Sequence, residues 1–148
     1  MTARELSPDT ITAKLNLITD LLDVLDGIGD MGLERIQGDP VLRLALERAL
    51  TQLVELAASV NIHIAASKGS PKATATYRES FHAAALAGSI PEELAIRLAP
   101  SAGMRNLLVH GYAVIDWQQV ADSIPKFRAD YREYVRQIGR WLINATTN

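Results

Sequence analysis

The chain has 148 residues, of which 48% are hydrophobic and 22% charged; it has no cysteine, and its formal net charge is -2. This composition predicts one soluble globular domain over residues 1–148, and it excludes disulfides, zinc thiolates and a cysteine nucleophile. The charge gives no overall attraction for nucleic acid, so a polyanion would have to be bound locally. We find no signal-peptide core and no uncharged apolar run of membrane-spanning length, so we expect a cytoplasmic protein that does not bind membranes.

The first two predicted helices are long and amphipathic. Ser7–Pro8 has the residue types of an N-cap and a first helical position, and the helix should stop near Gly27. Asp39–Pro40 opens the second helix in the same way, and its apolar pattern runs to about Ala66. The first helix is predicted to bury a stripe at alternating spacings of four and three: Ile11, Leu15, Ile18, Leu22 and Leu25.

The middle of the chain predicts shorter helices. The segment SKGSPKATAT is a loop, after which Thr76 and Glu79 form a capping box for a helix through Leu86 that Gly88 ends. A fourth helix is predicted to start at Pro91.

Two prolines are predicted to interrupt the later helices. Pro100 should end or bend the fourth helix, with Ser101 restarting it, because proline lacks an amide donor. Asp116 caps the next segment, and Pro125 should kink or restart the final helix. We find no strand pattern and no repeat. The predicted fold class is therefore all-α: an up-and-down bundle of two long antiparallel helices and several shorter ones.

The segment RNLLVHGY, residues 105–112, concentrates costly polar groups within a helix. Arg105 and His110 are five residues apart, about 140° around a helix, so they do not share a face. Asn106 and His110 do share one. Gly111 has the residue type favoured just past a helix end.

A histidine beside a permanent cation suits phosphodiester cleavage in RNA without a metal. The imidazole of His110 would move the protons, and Arg105 would stabilise the negatively charged phosphorane. DNA lacks the 2′-hydroxyl that this mechanism needs. From these residues alone, however, an arginine and a histidine near a helix end are more often a surface ion site or a C-cap.

The other polar residues favour structural roles. Arg48 and Glu55, two turns apart on the second helix, either support the motif or form a structural pair. His63 and His82 are too scattered to form a metal site, and no metal or other cofactor is implied. One group of arginines is best explained as a solvated helix face: Arg128, Arg132, Arg136 and Arg140. The tryptophans Trp117 and Trp141 are best explained as residues packed at helix ends.

The stretch from Asp39 to Val120 resembles the HepT-like group of the HEPN superfamily, the toxin halves of pairs with a minimal nucleotidyltransferase (MNT) antitoxin. Four segments carry the resemblance, in the family's order: ALERAL at 45–50, TYRESF at 76–81, IPEELA at 90–95 and MRNLLVHGY at 104–112. The last matches the family pattern of arginine, four residues, histidine, one residue and tyrosine, with asparagine directly after the arginine.

The resemblance implies a homodimer whose two motifs face a shared cleft and act as a metal-independent endoribonuclease on RNA such as tRNA or mRNA. Arg105 and His110 would be catalytic, and Asn106 would orient them or the RNA. Tyr112 matches the tyrosine that the nucleotidyltransferase antitoxin modifies with AMP units, which would place negative charge where the RNA phosphate binds.

The chain also departs from the family pattern. Leu107 stands where relatives often have a basic residue, Gly111 where they often have an acidic one, and Pro100 in a helix that they carry through. Two other functions remain open: a noncatalytic helical module that binds a nucleotidyltransferase, and a purely structural dimerisation bundle.

Overall fold

The structure, a computed structural model, describes residues 5–28, 32–69, 76–111 and 114–147. Those residues form helices joined by short connections and contain no strand, which confirms the all-α prediction. The helices are α1 (Pro8–Ile28), α2 (Leu33–Gly38), α3 (Pro40–Ser67), α4 (Tyr77–Leu86), α5 (Glu92–His110) and α6 (Trp117–Thr146).

The predicted helix starts are confirmed by their caps. The Asp39 carboxylate accepts from the amide of Leu42 at 3.1 Å, and the Asp116 carboxylate caps α6 in the same way. The Thr76 hydroxyl accepts from the amide of Glu79 at 3.0 Å, and α4 is followed by Gly88 with a positive φ of 85°. These short polar residues satisfy amide groups that a helix start leaves unpaired, which is why the sequence signals them reliably.

Neither proline ends its helix, because α5 continues through Pro100 and α6 through Pro125; the predicted bend or kink at these positions stays a prediction. Both prolines are exposed, while Leu98 and Ser101 next to Pro100 are buried, as are Ile124 and Phe127 near Pro125. Packing on both sides of each proline thus holds the two halves of the helix on the core, which offsets the lost hydrogen bond.

Consequently the bundle has four long helices, α1, α3, α5 and α6, rather than two. The short helix α2 was also missed. It buries Ile36 and ends where the Asp39 amide donates to the Ile36 carbonyl. A six-residue helix with one buried side chain is too short to show the spacing of apolar residues that identifies a helix in the sequence.

Helix α3 lies at the centre and contacts α1, α2, α4 and α5. It is the one helix among the described residues that is long and apolar enough to span a membrane, but 61% of that apolar window is buried inside the protein. An apolar helix that is mostly covered by its neighbours is a core helix. Its apolar character thus reflects burial by α1, α2, α4 and α5.

The arginine stripe on α6 divides into two halves. Arg132 donates to Asp23 and Asp26 on α1, and Arg128 lies 3.7 Å from Asp26. Arg136 and Arg140 are exposed. Part of the stripe therefore joins α6 to α1, and the rest agrees with the predicted solvated face.

Candidate functional site

The motif occupies the last two turns of α5, where buried and exposed positions alternate. Met104 and Leu108 are buried in the core, and Leu107 packs partly against it. Asn106 and His110 are exposed on the other side of the helix. The apolar residues of the motif thus fix the helix, and its polar residues face outward.

Arg105 is held by three side chains. Its Nη2 donates to Glu55 Oε1 on α3 at 3.0 Å, and its Nη1 donates to Asn106 Oδ1 at 3.2 Å. Its guanidinium carbon lies 4.8 Å from the centre of the Tyr77 ring at the start of α4. A planar guanidinium that is paired on one edge and covered by an aromatic ring has little freedom to move.

The same guanidinium keeps donors for a ligand. Only 17% of the Arg105 side chain is exposed, and its Nε is buried without a hydrogen-bond partner. A guanidinium has five N–H groups, and Glu55 and Asn106 engage two of them. The buried Nε is closed to solvent, so the donors that remain for an anion are the second N–H groups of Nη1 and Nη2.

His110 is the last residue of α5 and is exposed. Within the part of the chain that the structure describes, no hydrogen bond or ion pair engages its ring. It lies about 7.5 Å beyond Arg105 along the helix axis and about 140° around it. The two side chains therefore project to different sides of α5, as the sequence predicted.

Gly111 follows the helix end as predicted but is required for a different reason. Its φ is -78°, an ordinary helical value, and its amide donates to the Leu107 carbonyl at 2.7 Å. A Cβ atom here would collide with that carbonyl oxygen and press on the Ile115 side chain. The close approach of backbone to backbone, rather than a left-handed conformation, excludes larger residues.

A buried polar cluster lies beneath the motif: Asn61, Ser80, Ser101, Tyr131 and Tyr134. The hydroxyls of Ser101 and Tyr131 lie 2.7 Å apart and join α5 to α6 one turn before Arg105. The Tyr134 hydroxyl donates to Asn61 Oδ1 at 2.6 Å. Burial raises the pKa of both tyrosines well above the ordinary value of about 10, so both stay neutral donors.

The cluster also reaches the helix that carries Tyr77. Asn61 Nδ2 donates to Ser80 Oγ at 3.2 Å, and Ser80 Oγ donates to the Tyr77 carbonyl at 2.6 Å. Tyr77, which supports Arg105, is thus linked through these hydrogen bonds to α3 and α6. Sequence reasoning missed this role of Tyr77, although the residue stands inside the TYRESF segment.

An open groove of about 580 Å³ lies beside the motif, between α3, α4 and α5. Its walls mix apolar and polar side chains: Ile62, Thr76, Tyr77, Arg78, Glu79, Ala102, Gly103 and Asn106. Within α5, Gly103, Asn106 and His110 follow at spacings of three and four, so they share one side of the helix. The groove therefore lies on the side of α5 that also carries His110, although His110 is not one of its lining residues.

The other predicted residues are placed as follows. Glu55 reaches the motif, whereas Arg48 is exposed and forms no hydrogen bond or ion pair within the described residues. His63 accepts from the Ser7 amide at 2.9 Å, and His82 is exposed. Tyr112, the predicted AMPylation site, lies outside the described residues.

The tryptophans agree with their structural interpretation. Trp117 and Trp141 lie near the two ends of α6 and pack partly against the core. Among residues 5–28, 32–69, 76–111 and 114–147, no group of three or more His, Asp or Glu side chains is arranged to hold a metal ion.

The arrangement defines a helical protein with an ion-paired, largely buried arginine and an exposed histidine on one helix. The sequence profile described as ribonuclease HepT-like matches residues 15–138, most of the chain. The chain is also 34% identical over 138 residues to the tRNA nuclease HepT of Aphanizomenon flos-aquae (strain 2012/KM1/D3), with 93% of each chain covered. The protein therefore belongs to the ribonuclease HepT-like family, the family that the motif indicated.

Solved structures share the fold. A tri-AMPylated HEPN toxin of Shewanella oneidensis in complex with its MNT antitoxin is 21% identical, with a TM-score of 0.78 over 89% of this chain and 98% of that one. A toxin–antitoxin structure with AMP-PNP gives the same values. The cytosolic protein YutE of Bacillus subtilis, of unknown function, is 15% identical with a TM-score of 0.81 over 97% of this chain and 95% of that one.

Proposed function

We propose that the protein is the toxin of a HEPN and MNT toxin–antitoxin pair and cleaves RNA without a metal ion. Membership of a ribonuclease family and the relative named as a tRNA nuclease support the substrate class. The observation that carries the proposal is the state of Arg105, which is held by Glu55 and Tyr77 yet keeps unused N–H donors.

In the proposed reaction His110 takes the proton of the 2′-hydroxyl or gives one to the leaving oxygen. Arg105 binds the non-bridging oxygens of the phosphate, whose negative charge grows in the transition state. The hydrogen bond between Asn106 and Arg105 fixes the guanidinium plane. A preorganised donor of this kind costs no reorganisation when the charge develops.

The proposed homodimer solves a geometric problem of the single chain. Arg105 and His110 project to different sides of α5, so one copy does not present both to one phosphate without rearrangement. Two copies that face a common cleft would offer two arginines and two histidines to the RNA strand. Equilibrium sedimentation tests whether the protein is a dimer. Mixing His110→Ala chains with Arg105→Ala chains tests whether the site is shared, because the mixed dimer should recover activity if each copy supplies one of the two residues.

We further propose that a nucleotidyltransferase antitoxin inactivates the protein by AMPylation of Tyr112. The AMPylated toxin in the Shewanella oneidensis complex supports this control for the family fold. AMP units two residues from His110 would add negative charge beside the RNA phosphate and repel it. Intact mass spectrometry after co-expression with the antitoxin should show whole AMP units, absent from Tyr112→Phe; an unmodified Tyr112 in inactive protein would refute this mechanism.

The central test is RNA cleavage in excess EDTA. Wild-type protein should cleave, and His110→Ala should lower kcat by about 10²- to 10⁴-fold, the usual contribution of a general acid or base. Because His110 is exposed, the variant should melt at the wild-type temperature. His82→Ala, an exposed histidine on α4, is the matched control and should keep full activity. Unchanged cleavage by His110→Ala would remove His110 from the mechanism.

A noncatalytic module that only binds a nucleotidyltransferase predicts a different result. Free wild-type protein would then form a complex with the antitoxin and leave RNA intact under all conditions. The same cleavage assay separates this function from the proposed one.

A further inference from the structure

The groove between α3, α4 and α5 lies beside the motif, and the proposed cleavage reaction does not involve the space inside it. Its volume of about 580 Å³ falls within the range of ~300–1,000 Å³ that is common for small-ligand sites. Ile62 and Ala102 contribute apolar surface, and Arg78, Glu79 and Asn106 contribute polar groups of three kinds. A cation, a carboxylate and an amide can together bind a phosphate and the edge of a base.

The groove is continuous with the candidate catalytic residues. Asn106 lines it and also accepts a hydrogen bond from Arg105. Tyr77 lines it and also covers the Arg105 guanidinium. His110 follows Asn106 by four residues on the same side of α5, about 6 Å further along the axis. A group bound in the groove therefore adjoins the position of the scissile phosphate.

We infer that this groove is a subsite that binds one nucleotide of the RNA strand next to the cleaved bond and contributes to substrate selection. The base would lie on the apolar wall at Ile62 and Ala102, and Asn106, Arg78 and Glu79 would contact its polar edge or its phosphate. The inference rests on the proposed ribonuclease function. It assigns a binding role to Arg78 and Gly103, which lie outside the motif.

Gly103 offers a direct way to fill the groove without damage to the fold. It is exposed on α5, and a Cβ at this position would meet no atom within 4 Å. Gly103→Leu should therefore occupy part of the groove, while the replacement of glycine inside a helix favours folding. Gly103→Ala gives most of that helix benefit and leaves the groove open. Gly139→Leu makes the same change on α6, where a Cβ also has free space.

The test combines binding with kinetics. Amide NMR spectra titrated with the four nucleoside monophosphates should shift signals of Ile62, Arg78, Gly103 and Asn106, and Gly103→Leu should abolish these shifts. With RNA as substrate, Gly103→Leu should raise KM by about tenfold, the size of one lost base contact, with kcat little changed. Gly139→Leu should behave as wild type, and Gly103→Ala should raise KM less than Gly103→Leu does.

The outcomes separate this inference from the proposed function. Wild-type cleavage with an unchanged KM in Gly103→Leu would overturn the subsite and leave the ribonuclease standing. Nucleotide shifts in the groove of a protein that cleaves no RNA would overturn the ribonuclease instead. A Gly103→Leu variant that changes its oligomeric state would show the groove to be a contact between copies, which also overturns the subsite.

Discussion

Two clusters of polar side chains lie about one helical turn apart on α5, and they differ in whether their hydrogen-bonding groups have partners within the protein. In the buried cluster, the Ser101 hydroxyl and its partner on α6 are enclosed and hydrogen-bonded. In the motif, Glu55 and Asn106 engage two of the five N–H groups of Arg105, and His110 is exposed to solvent. A satisfied buried network fixes a unique packing, whereas groups that no other side chain engages remain for a ligand. Changes in the first cluster should therefore alter stability, and changes in the second should alter activity.

After His110, the largest effect is expected at Arg105. Arg105→Ala should lower kcat for RNA cleavage by about 10²- to 10³-fold, the loss typical of one donor to a transition-state oxyanion. Arg105→Lys should restore little, because an ammonium cannot reproduce the planar contacts with Glu55 and Tyr77. Arg48→Ala, an exposed arginine on α3, is the control and should keep wild-type kinetics. Full activity in Arg105→Lys would mean that positive charge alone suffices.

The buried tyrosines predict a loss of stability at alkaline pH. Burial raises the pKa of Tyr131 and Tyr134 in the folded state, so their stabilisation is complete below pH ~10 and is lost as the pH rises towards the folded pKa. Each tyrosine should lower the free energy of unfolding by about 1.4 kcal/mol per pH unit in that range, about 2.7 kcal/mol for both. Urea unfolding at several pH values measures this slope, and Tyr134→Phe should roughly halve it. An equal slope in that variant would contradict the assignment.

Removal of Asn61 should destabilise the fold without touching the motif. The residue is fully buried and serves both the Tyr134 hydroxyl and Ser80. Asn61→Ala should lower the free energy of unfolding by about 1–3 kcal/mol because those partners lose their hydrogen bonds. Asn144→Ala, on an exposed position of α6, should be neutral. The folded protein should cleave RNA with the wild-type kcat. A large loss of kcat under conditions where the variant is fully folded would show that the buried cluster affects activity as well as stability.

The smallest effect is expected at Glu55, which touches the substrate only through Arg105. Its side chain is 37% exposed, so the ion pair contributes little to stability. Glu55→Gln keeps a hydrogen-bond acceptor and should lower kcat by about three- to tenfold through looser positioning of Arg105. Because the carboxylate no longer competes with phosphate, KM should stay the same or fall. A rise in KM alone would show that Glu55 acts in binding rather than in positioning.

The predicted helix caps were confirmed because capping depends on residues that are close together in the chain. Asp39, Thr76 and Asp116 cap their helices because each side chain satisfies an amide only two or three residues away. The alternative that Pro100 or Pro125 ends a helix was wrong because packing against residues distant in the chain decided the outcome. At those positions the buried neighbours on both sides keep the helix continuous despite the missing donor.

The site divides in the same way. The angular separation of Arg105 and His110 follows from helical geometry and was readable from their spacing. The sequence named Glu55 as one of two candidate supports, and it gave no reason to choose it over Arg48. Tyr77 had no signal beyond its place in a family segment, since its contact with Arg105 joins residues that are 28 positions apart.

By itself the sequence determined the helical class, the starts of the main helices and the motif residues 105–112. Capping and periodicity depend on neighbours within a turn or two, and family membership depends on a short ordered pattern. Only the tertiary structure decided that α5 is continuous, that Glu55 and Tyr77 hold Arg105, and that a groove lies beside the motif between α3, α4 and α5. Those features depend on contacts between residues that are far apart in the chain, and local patterns do not encode such contacts.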